Sequence, residues 1–271
     1  MIIGGRQFDT KKKTYIMGIL NLTPDSFSDG GTLGGAHEAL ERVRRMIDEG
    51  ADIIDVGGES TRPGYTRISE EEEIARILPV IELIKREFDI PVSVDTYKSK
   101  VALAALRAGA DMVNDIWGFK YDAEMANVVA SFGAACCLMH NRENAVYKNF
   151  LSELSSELHQ CVQIALRAGV DSDKIILDPG IGFGKTPEMN LMLLNNADKL
   201  DLGYPLLFGA SRKSFIYHAL GLPVERREQA SVAAAVIAAY KGASFVRVHN
   251  VKAHRHAVDM ARAVAASGGE K

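Results

Sequence analysis

The sequence predicts an α/β protein: a single-domain (β/α)8 TIM barrel with a short N-terminal β-hairpin and an extra short helix after the seventh strand. Three observations carry that prediction. Short apolar runs alternate with longer amphipathic ones, and about eight such units fit in 271 residues. A Gly-Ala phrase recurs where helical runs meet strand-like ones. Almost every strand-like run ends, at its C-terminal side, in a polar or ionisable residue. In order these are Asn21, Asp55, Asp95, Asn114, His140, Asp178, the run Ser211-Arg212-Lys213, and Arg247 with His249. Buried parallel strands are normally apolar throughout. Polar residues gathered at one end of many strands therefore imply a shared site there.

The elements follow in order. Residues 1–14 precede the first unit, and Gly4-Gly5 between two short extended pieces reads as a hairpin that plugs the barrel bottom. Residues 15–22, 52–58, 91–96, 112–116, 134–139, 175–178, 205–209 and 245–248 are short, apolar and bounded by Gly or Pro, and read as strands. Residues 36–49 place Ala39, Leu40, Val43 and Ile47 on one helical stripe. Residues 70–88 do the same with Ile74, Ile77, Leu78, Ile81 and Leu83 or Ile84. Ser69, with Glu72 three residues on, caps the second of these helices.

Gly50-Ala51, Gly109-Ala110, Gly133-Ala134 and Gly242-Ala243 mark helix-to-strand junctions, where glycine accepts the left-handed conformation of a helix end. Repetition of this device favours a repeated βα unit over two unrelated domains. A doubly wound sheet would carry a Gly-rich turn after its first strand. Here that position reads Asn21-Leu22-Thr23-Pro24-Asp25. Residues 1–271 are thus expected to form one domain, with residues 267–271 a frayed tail.

Composition narrows the function classes. The chain is 47% hydrophobic and 25% charged, as globular proteins are. A formal net charge of -3 gives no basic signature, which argues against a nucleic-acid partner. Cys136, Cys137 and Cys161 lack metal-ligand spacing and read as core thiols in a reducing compartment. Residues 1–10 lack the apolar core of a signal peptide, and no apolar run reaches membrane-spanning length. A cytoplasmic protein with no membrane partner is expected.

In a (β/α)8 barrel, chemistry sits at the C-terminal ends of the strands and the loops that follow. The first loop, running from Asn21 to Gly31, combines a strand-end amide with hydroxyls and two carboxylates, oxygens that suit Mg2+ beside a phosphorylated substrate. The second loop, Gly57-Gly58-Glu59-Ser60-Thr61-Arg62-Pro63-Gly64, pairs glycines with Ser, Thr and Arg and suits close approach to a phosphate. Taken singly, each loop is also a plain surface turn. Asp95, Asn114 and Asp178 end the third, fourth and sixth strands. Converging on one mouth, they match a flat heterocycle with amide and amino edges.

Ser211-Arg212-Lys213-Ser214 is expected to open the extra helix and offer an anion site, joined by Arg247 and His249 on one face of the eighth strand. His218, His254 and His256 fall on helices and are expected to be solvated, and Trp117 is expected to pack against the fourth loop. No nucleophile elbow, HExxH helix or Walker loop is present.

These loops resemble bacterial dihydropteroate synthases. The resemblance rests on residues 17–31 and 57–64, on Asp178-Pro179-Gly180-Ile181-Gly182-Phe183-Gly184-Lys185, on Ser211-Arg212-Lys213-Ser214 and on Arg247-Val248-His249. It covers essentially the whole chain in order. It implies a cytoplasmic homodimeric enzyme that joins 6-hydroxymethyl-7,8-dihydropterin diphosphate to 4-aminobenzoate, releasing diphosphate, and that sulfonamides inhibit.

The resemblance further implies that Asp95, Asn114, Asp178, Lys213 and Arg247 hold the pterin, with Asp95, Lys213 and Arg247 also catalytic. Asn21, Thr61, Arg247 and His249 would bind the diphosphate, with Asn21 on Mg2+. Phe27, Arg62, Pro63, Phe183 and Ser214 would shape the 4-aminobenzoate pocket. Asn250, where the family often has Asp, and Gln229-Ala230-Ser231 depart from the family pattern. A related pterin-binding methyltransferase acting on methyltetrahydrofolate would not need the basic strand-seven and strand-eight residues. A catalytically inactive pterin-binding barrel would be expected to have lost some of the polar strand ends.

Overall fold

A two-stranded hairpin opens the chain, with β1 (Ile2–Ile3) and β2 (Arg6–Gln7) pairing antiparallel across Gly4-Gly5. The computed structural model describes residues 1–22, 32–60, 66–200 and 202–267. Past the hairpin come β3 (Tyr15–Asn21), β4 (Ile53–Gly57), β5 (Val92–Asp95), β6 (Met112–Asp115), β7 (Ala135–Met139), β8 (Ile175–Asp178), β9 (Leu207–Phe208) and β10 (Phe245–Val248). Among the described residues these form one eight-stranded sheet in the order β8-β7-β6-β5-β4-β3-β10-β9. Every pairing in it is parallel.

A parallel bridge between Leu177 and Leu206 joins the two edges. The Leu177 N–H donates to the Pro205 carbonyl at 2.9 Å. The sheet is therefore a nearly closed barrel. The seventh strand is shorter than the sequence suggests, because Pro205 has no N–H to give to a ladder and pairing stops after Phe208.

Helices α1 (Thr32–Asp48), α2 (Glu70–Glu87), α3 (Ser99–Arg107), α4 (Met125–Phe132), α5 (Phe150–Arg167) and α6 (Pro187–Asn195) each follow one strand in turn. After β9 come two helices, the extra α7 (Phe215–Leu220) and α8 (Glu228–Tyr240), and α9 (Val251–Ser267) follows β10. Ser267 is the last residue of α9, and residues 268–271 of the expected tail lie outside the described residues. Gly50, Gly109, Gly133 and Gly242 all have positive φ, as the repeated junction phrase predicts. The Ser69 Oγ accepts the Glu72 N–H at 3.1 Å, the expected cap of α2. No helix among the described residues is long and apolar enough to cross a membrane.

The core has two shells, sorted by the two-residue period of the strands. Outward-facing Ile16, Ile54, Val94, Val113, Cys136, Leu177 and Val246 pack under the helices. On α2 the buried stripe is Ile77, Val80, Ile81 and Ile84, with Ile74 and Leu83 partly covered. Inward-facing Met17, Ile53, Met112, Cys137, Ile176, Leu207 and Phe245 fill the barrel bottom with Ile3 and Phe8 of the hairpin segment. The hairpin is thus the expected plug. All three cysteines are buried free thiols, and burial raises the pKa of each.

Candidate active site

One pleat step above the apolar plug, the same strands point charged side chains inward. Asp55 stands above Ile53 on β4, Asn114 above Met112 on β6, Asp178 above Ile176 on β8 and Arg247 above Phe245 on β10. Strand register sets Asp95 beside Asn114.

Arg247 is the hub. Its Nε donates to Asp55 Oδ2 at 2.5 Å and its Nη2 to Asp95 Oδ2 at 2.6 Å, while Asn114 Nδ2 donates to the same Asp55 oxygen at 3.3 Å. A guanidinium suits this role because its fork presents fixed, always-charged donors. Burial pushes the Asp95 carboxyl up to about 7, with Arg247 pulling it down and Asp55 pushing it further up. Burial alone would lower Arg247, but Asp55 and Asp95 hold it above the ordinary arginine value. Among the described residues Asp55 Oδ1, Asp95 Oδ1 and Ser93 Oγ are buried without hydrogen-bond partners. Unsatisfied buried acceptors are expensive, and these collect under the mouth.

A second group sits across Gly209. Asp178 Oδ1 accepts the Gly180 N–H at 2.7 Å. The Lys213 ammonium donates to the Ile181 carbonyl and lies 4.6 Å from the centre of the Phe183 ring. Burial lowers Lys213 to about 8, against the pull of Asp178. Burial raises Asp178, with Lys213 opposing it. A Cβ at Gly209 would stand 3.7 Å from Lys213 Nζ, 3.8 Å from Arg247 Cβ and 3.9 Å from Asp178 Oδ2. The missing side chain leaves room where all three residues meet. His249 extends this side: its Nδ1 is 3.0 Å from the Ser211 Oγ, which fixes the ring against the β9 loop.

The structure thus brings Asp95, Asn114, Asp178, Lys213, Phe183 and Arg247 around one mouth. Asn21 ends β3 half-buried, with its Oδ1 3.8 Å from where a Gly57 Cβ would lie, as Asp95 Oδ2 also is. Thr61, Phe27, Arg62 and Pro63 lie outside the described residues. Ser214 is exposed just before α7.

Two expectations need correction. Arg212 does not join the run expected at the start of the extra helix. That helix begins only at Phe215, and Arg212, with a φ of 59°, turns away and pairs with Glu228 at 3.1 Å, so Lys213 alone turns into the mouth. His254 is not solvated but fully buried on α9, its Nδ1 2.7 Å from the Asn250 carbonyl. His218 and His256 are exposed as expected, and Trp117 packs against the small cluster of Tyr97, Ile116 and Met139.

Sequence reasoning gave Asp55 and His140 no role, although both fitted the pattern of polar strand ends. It also missed a buried cluster behind the second loop. There Lys98 Nζ donates to Glu59 Oε2 and Glu73 Oε2, both at 2.7 Å, and to the Ile68 carbonyl at 2.9 Å. The Tyr97 hydroxyl donates to Glu59 Oε1 at 2.6 Å. A glutamate on the apolar stripe of α2 was the only hint of this cluster.

The donor set fits one kind of metal. Among the described residues no group of three His, Cys, Asp or Glu side chains could hold an ion. At the end of β3, half-buried Asn21 offers one neutral amide oxygen. Mg2+ keeps several waters and leans on substrate phosphates, so this sparse set suits an ion that arrives with a phosphorylated substrate.

Comparison with known proteins identifies the family. Residues 17–249 match the family described as pterin binding enzyme. A dihydropteroate synthase of Clostridium beijerinckii is 57% identical over 262 residues, 96% of this chain and 97% of the relative. The dihydropteroate synthase from Clostridium difficile, solved in the presence of pteroic acid, superposes with a TM-score of 0.93 at 45% identity, covering 95% of this chain and 99% of that one. The Yersinia pestis enzyme, in complex with a sulfonamide drug, gives 0.92 at 38% identity, covering 98% and 99%. The chain belongs to the dihydropteroate synthases, transferases of folate biosynthesis within the pterin-binding enzymes.

Proposed function

We propose that the two groups of charges divide the condensation between them. The observation that carries this reading is a charge imbalance. Asp55 and Asp95 share the single guanidinium of Arg247, and each keeps a buried carboxylate oxygen without a hydrogen-bond partner. Two buried carboxylates are thus paired to one cation. Such an environment favours a cation at the reacting carbon. In this reading the pterin edge lies on Asn114 and Asp178. The diphosphate leaves towards Lys213, Arg247 and His249, and the arylamine captures the resulting methylene cation. Asp95 stabilises that cation by its charge, so no protein nucleophile is needed. Phe183, Ser214, Phe27, Arg62 and Pro63 wall the 4-aminobenzoate side, and Thr61 joins the diphosphate contacts. A sulfonamide would compete on the same side.

A divalent metal, Mg2+ in the first instance, would be held by Asn21 and the substrate phosphates, and would neutralise charge on the leaving group. The family resemblance also carries a homodimer and a cytoplasmic setting, and the buried free thiols fit the latter.

The test measures diphosphate and dihydropteroate together from purified protein, both substrates and Mg2+. Stoichiometric formation of both is expected, abolished by a chelator and restored by Mg2+. Diphosphate release without dihydropteroate would overturn the reaction, and release unaffected by chelation would remove the metal.

A further inference from the structure

The corner between β7 and β8 holds a charged cluster that the condensation as described leaves unused. His140, at the end of β7, is fully buried. Its Nδ1 is 2.9 Å from Lys185 Nζ. Its Nε2 is 3.0 Å from Glu157 Oε2 on α5, though out of line for a hydrogen bond. Burial, and after it the Lys185 charge, lowers the ring to about 2. The imidazole is therefore neutral, and Nδ1 accepts from the ammonium. Lys185 Nζ also donates to the Phe183 carbonyl at 2.8 Å and to the His140 carbonyl at 3.4 Å. An ammonium carries three protons, and here each meets an acceptor.

The backbone is fitted as closely. A Cβ on Gly180 would collide with the His140 carbonyl, and one on Gly184 with the Arg142 carbonyl. Positive φ values of 73° and 53° let these glycines press the turn onto residues 140–142. The Tyr147 hydroxyl donates to the Gly184 carbonyl at 2.9 Å.

We infer that Lys185 is a positioning residue: it ties the 178–185 turn to the end of β7 and so holds Phe183 as a wall of the arylamine pocket. Lys213 grips the same turn from inside the mouth through the Ile181 carbonyl, and Lys185 grips it from behind. The inference rests on the reading of Phe183 as part of that pocket. Burial lowers Lys185 to about 7, against the pull of Asp178, with Lys213 and Arg142 lowering it and Glu157 raising it. These are the charged groups that face it from the mouth and from the α5 side. Above that pH the amine keeps two protons for three acceptors, so the wall loosens.

The test is steady-state kinetics on the full-length enzyme and three variants. For Lys185→Met, the KM for 4-aminobenzoate should rise about tenfold, as loss of charge-assisted hydrogen bonds predicts, with kcat and the KM for the pterin diphosphate within about twofold. The unmodified enzyme should lose affinity for 4-aminobenzoate as pH rises through about 7, and Lys185→Met should not. Glu157→Gln keeps the amine but removes the charge that raises its pKa, so the midpoint should move to lower pH. This partly exposed change also covers the case in which Lys185→Met does not fold. If Phe183→Ala raises the KM for 4-aminobenzoate while Lys185→Met does not, the inference is overturned alone. A fixed midpoint in Glu157→Gln overturns it as well. If Phe183→Ala leaves that KM unchanged, the pocket reading falls and the inference falls with it.

Discussion

Two layers share the inside of this barrel, and a single pleat step separates them. The lower layer is Met17, Ile53, Met112, Ile176 and Phe245 under Ile3 and Phe8. The upper layer, two residues on along β4, β6, β8 and β10, is Asp55, Asn114, Asp178 and Arg247. Backbone, register and curvature are the same in both. The lower layer stabilises by burying apolar surface, at roughly 25 cal/mol per Å2. The upper layer is a drain on stability, because buried charge is costly unless paired and Asp55 and Asp95 share one guanidinium. A barrel holds such a layer because the layer beneath and the shell outside keep its walls fixed. Stability and chemistry are therefore separable by position along one strand.

The largest break in that separation would come from Asp95→Asn. Removing the charge should lower kcat by about 10²–10³-fold, the scale for losing one electrostatic stabiliser of a transition state. Folding should suffer little, because Asn keeps an acceptor for Arg247. The pH behaviour carries the sign. The Asp95 carboxyl sits at about 7 in the folded protein, well above its ordinary value of 3.8. Between those values the folded state holds a proton that the unfolded chain has released. Asp95 thus contributes stability at acid pH that is lost as pH rises towards 7. Activity runs the other way: kcat/KM should fall below about pH 7 as the carboxylate is protonated. In Asp95→Asn both the activity limb and this stability slope should vanish. Near-normal turnover would end the electrostatic role assigned to the upper layer.

Phe245→Ala probes the layer below. Phe245 is fully buried, its ring centroid 5.8 Å from that of Phe8 and 5.7 Å from that of Tyr15. Truncation should cost about 3–5 kcal/mol in chemical denaturation. The folded fraction should keep kcat within about twofold, although Arg247 is only two residues away. A tenfold fall in kcat at a temperature where the variant is folded would mean that the layers are coupled.

The same contrast explains what was legible in the sequence. Period-two alternation and Gly-Ala junctions are local, so strands, helices and the sense of the mouth could be read directly. The polar strand ends were visible for the same reason. Their pairing was not, because Arg247 meets Asp55 and Asp95 across 192 and 152 positions of sequence. Lys98 finds Glu59 and Glu73 only once β5 lies beside β4 and under α2. His254 looked like one more polar residue on an exposed helix, yet it faces inwards beside Glu228 at 3.9 Å. The short helix misled for a different reason. Residues 211–214 have the composition of an anion-binding turn, but the positive φ of Arg212 sends adjacent side chains in opposite directions.

The smallest effect tests whether a departure from the family pattern belongs to the site at all. Asn250 directly follows His249, so a carboxylate there would stand next to the upper layer. Its geometry assigns it elsewhere. The Asn250 Oδ1 accepts the Ala253 N–H at 3.0 Å, three residues on, which makes it the cap of α9. Asn and Asp serve almost equally well in that position, and a negative charge at a helix N-terminus adds about 0.3–1 kcal/mol. Asn250→Asp should therefore raise stability by a few tenths of a kcal/mol and leave kcat/KM unchanged at every pH. A shifted pH profile would show instead that residue 250 acts on His249, and would extend the upper layer one residue past the strand.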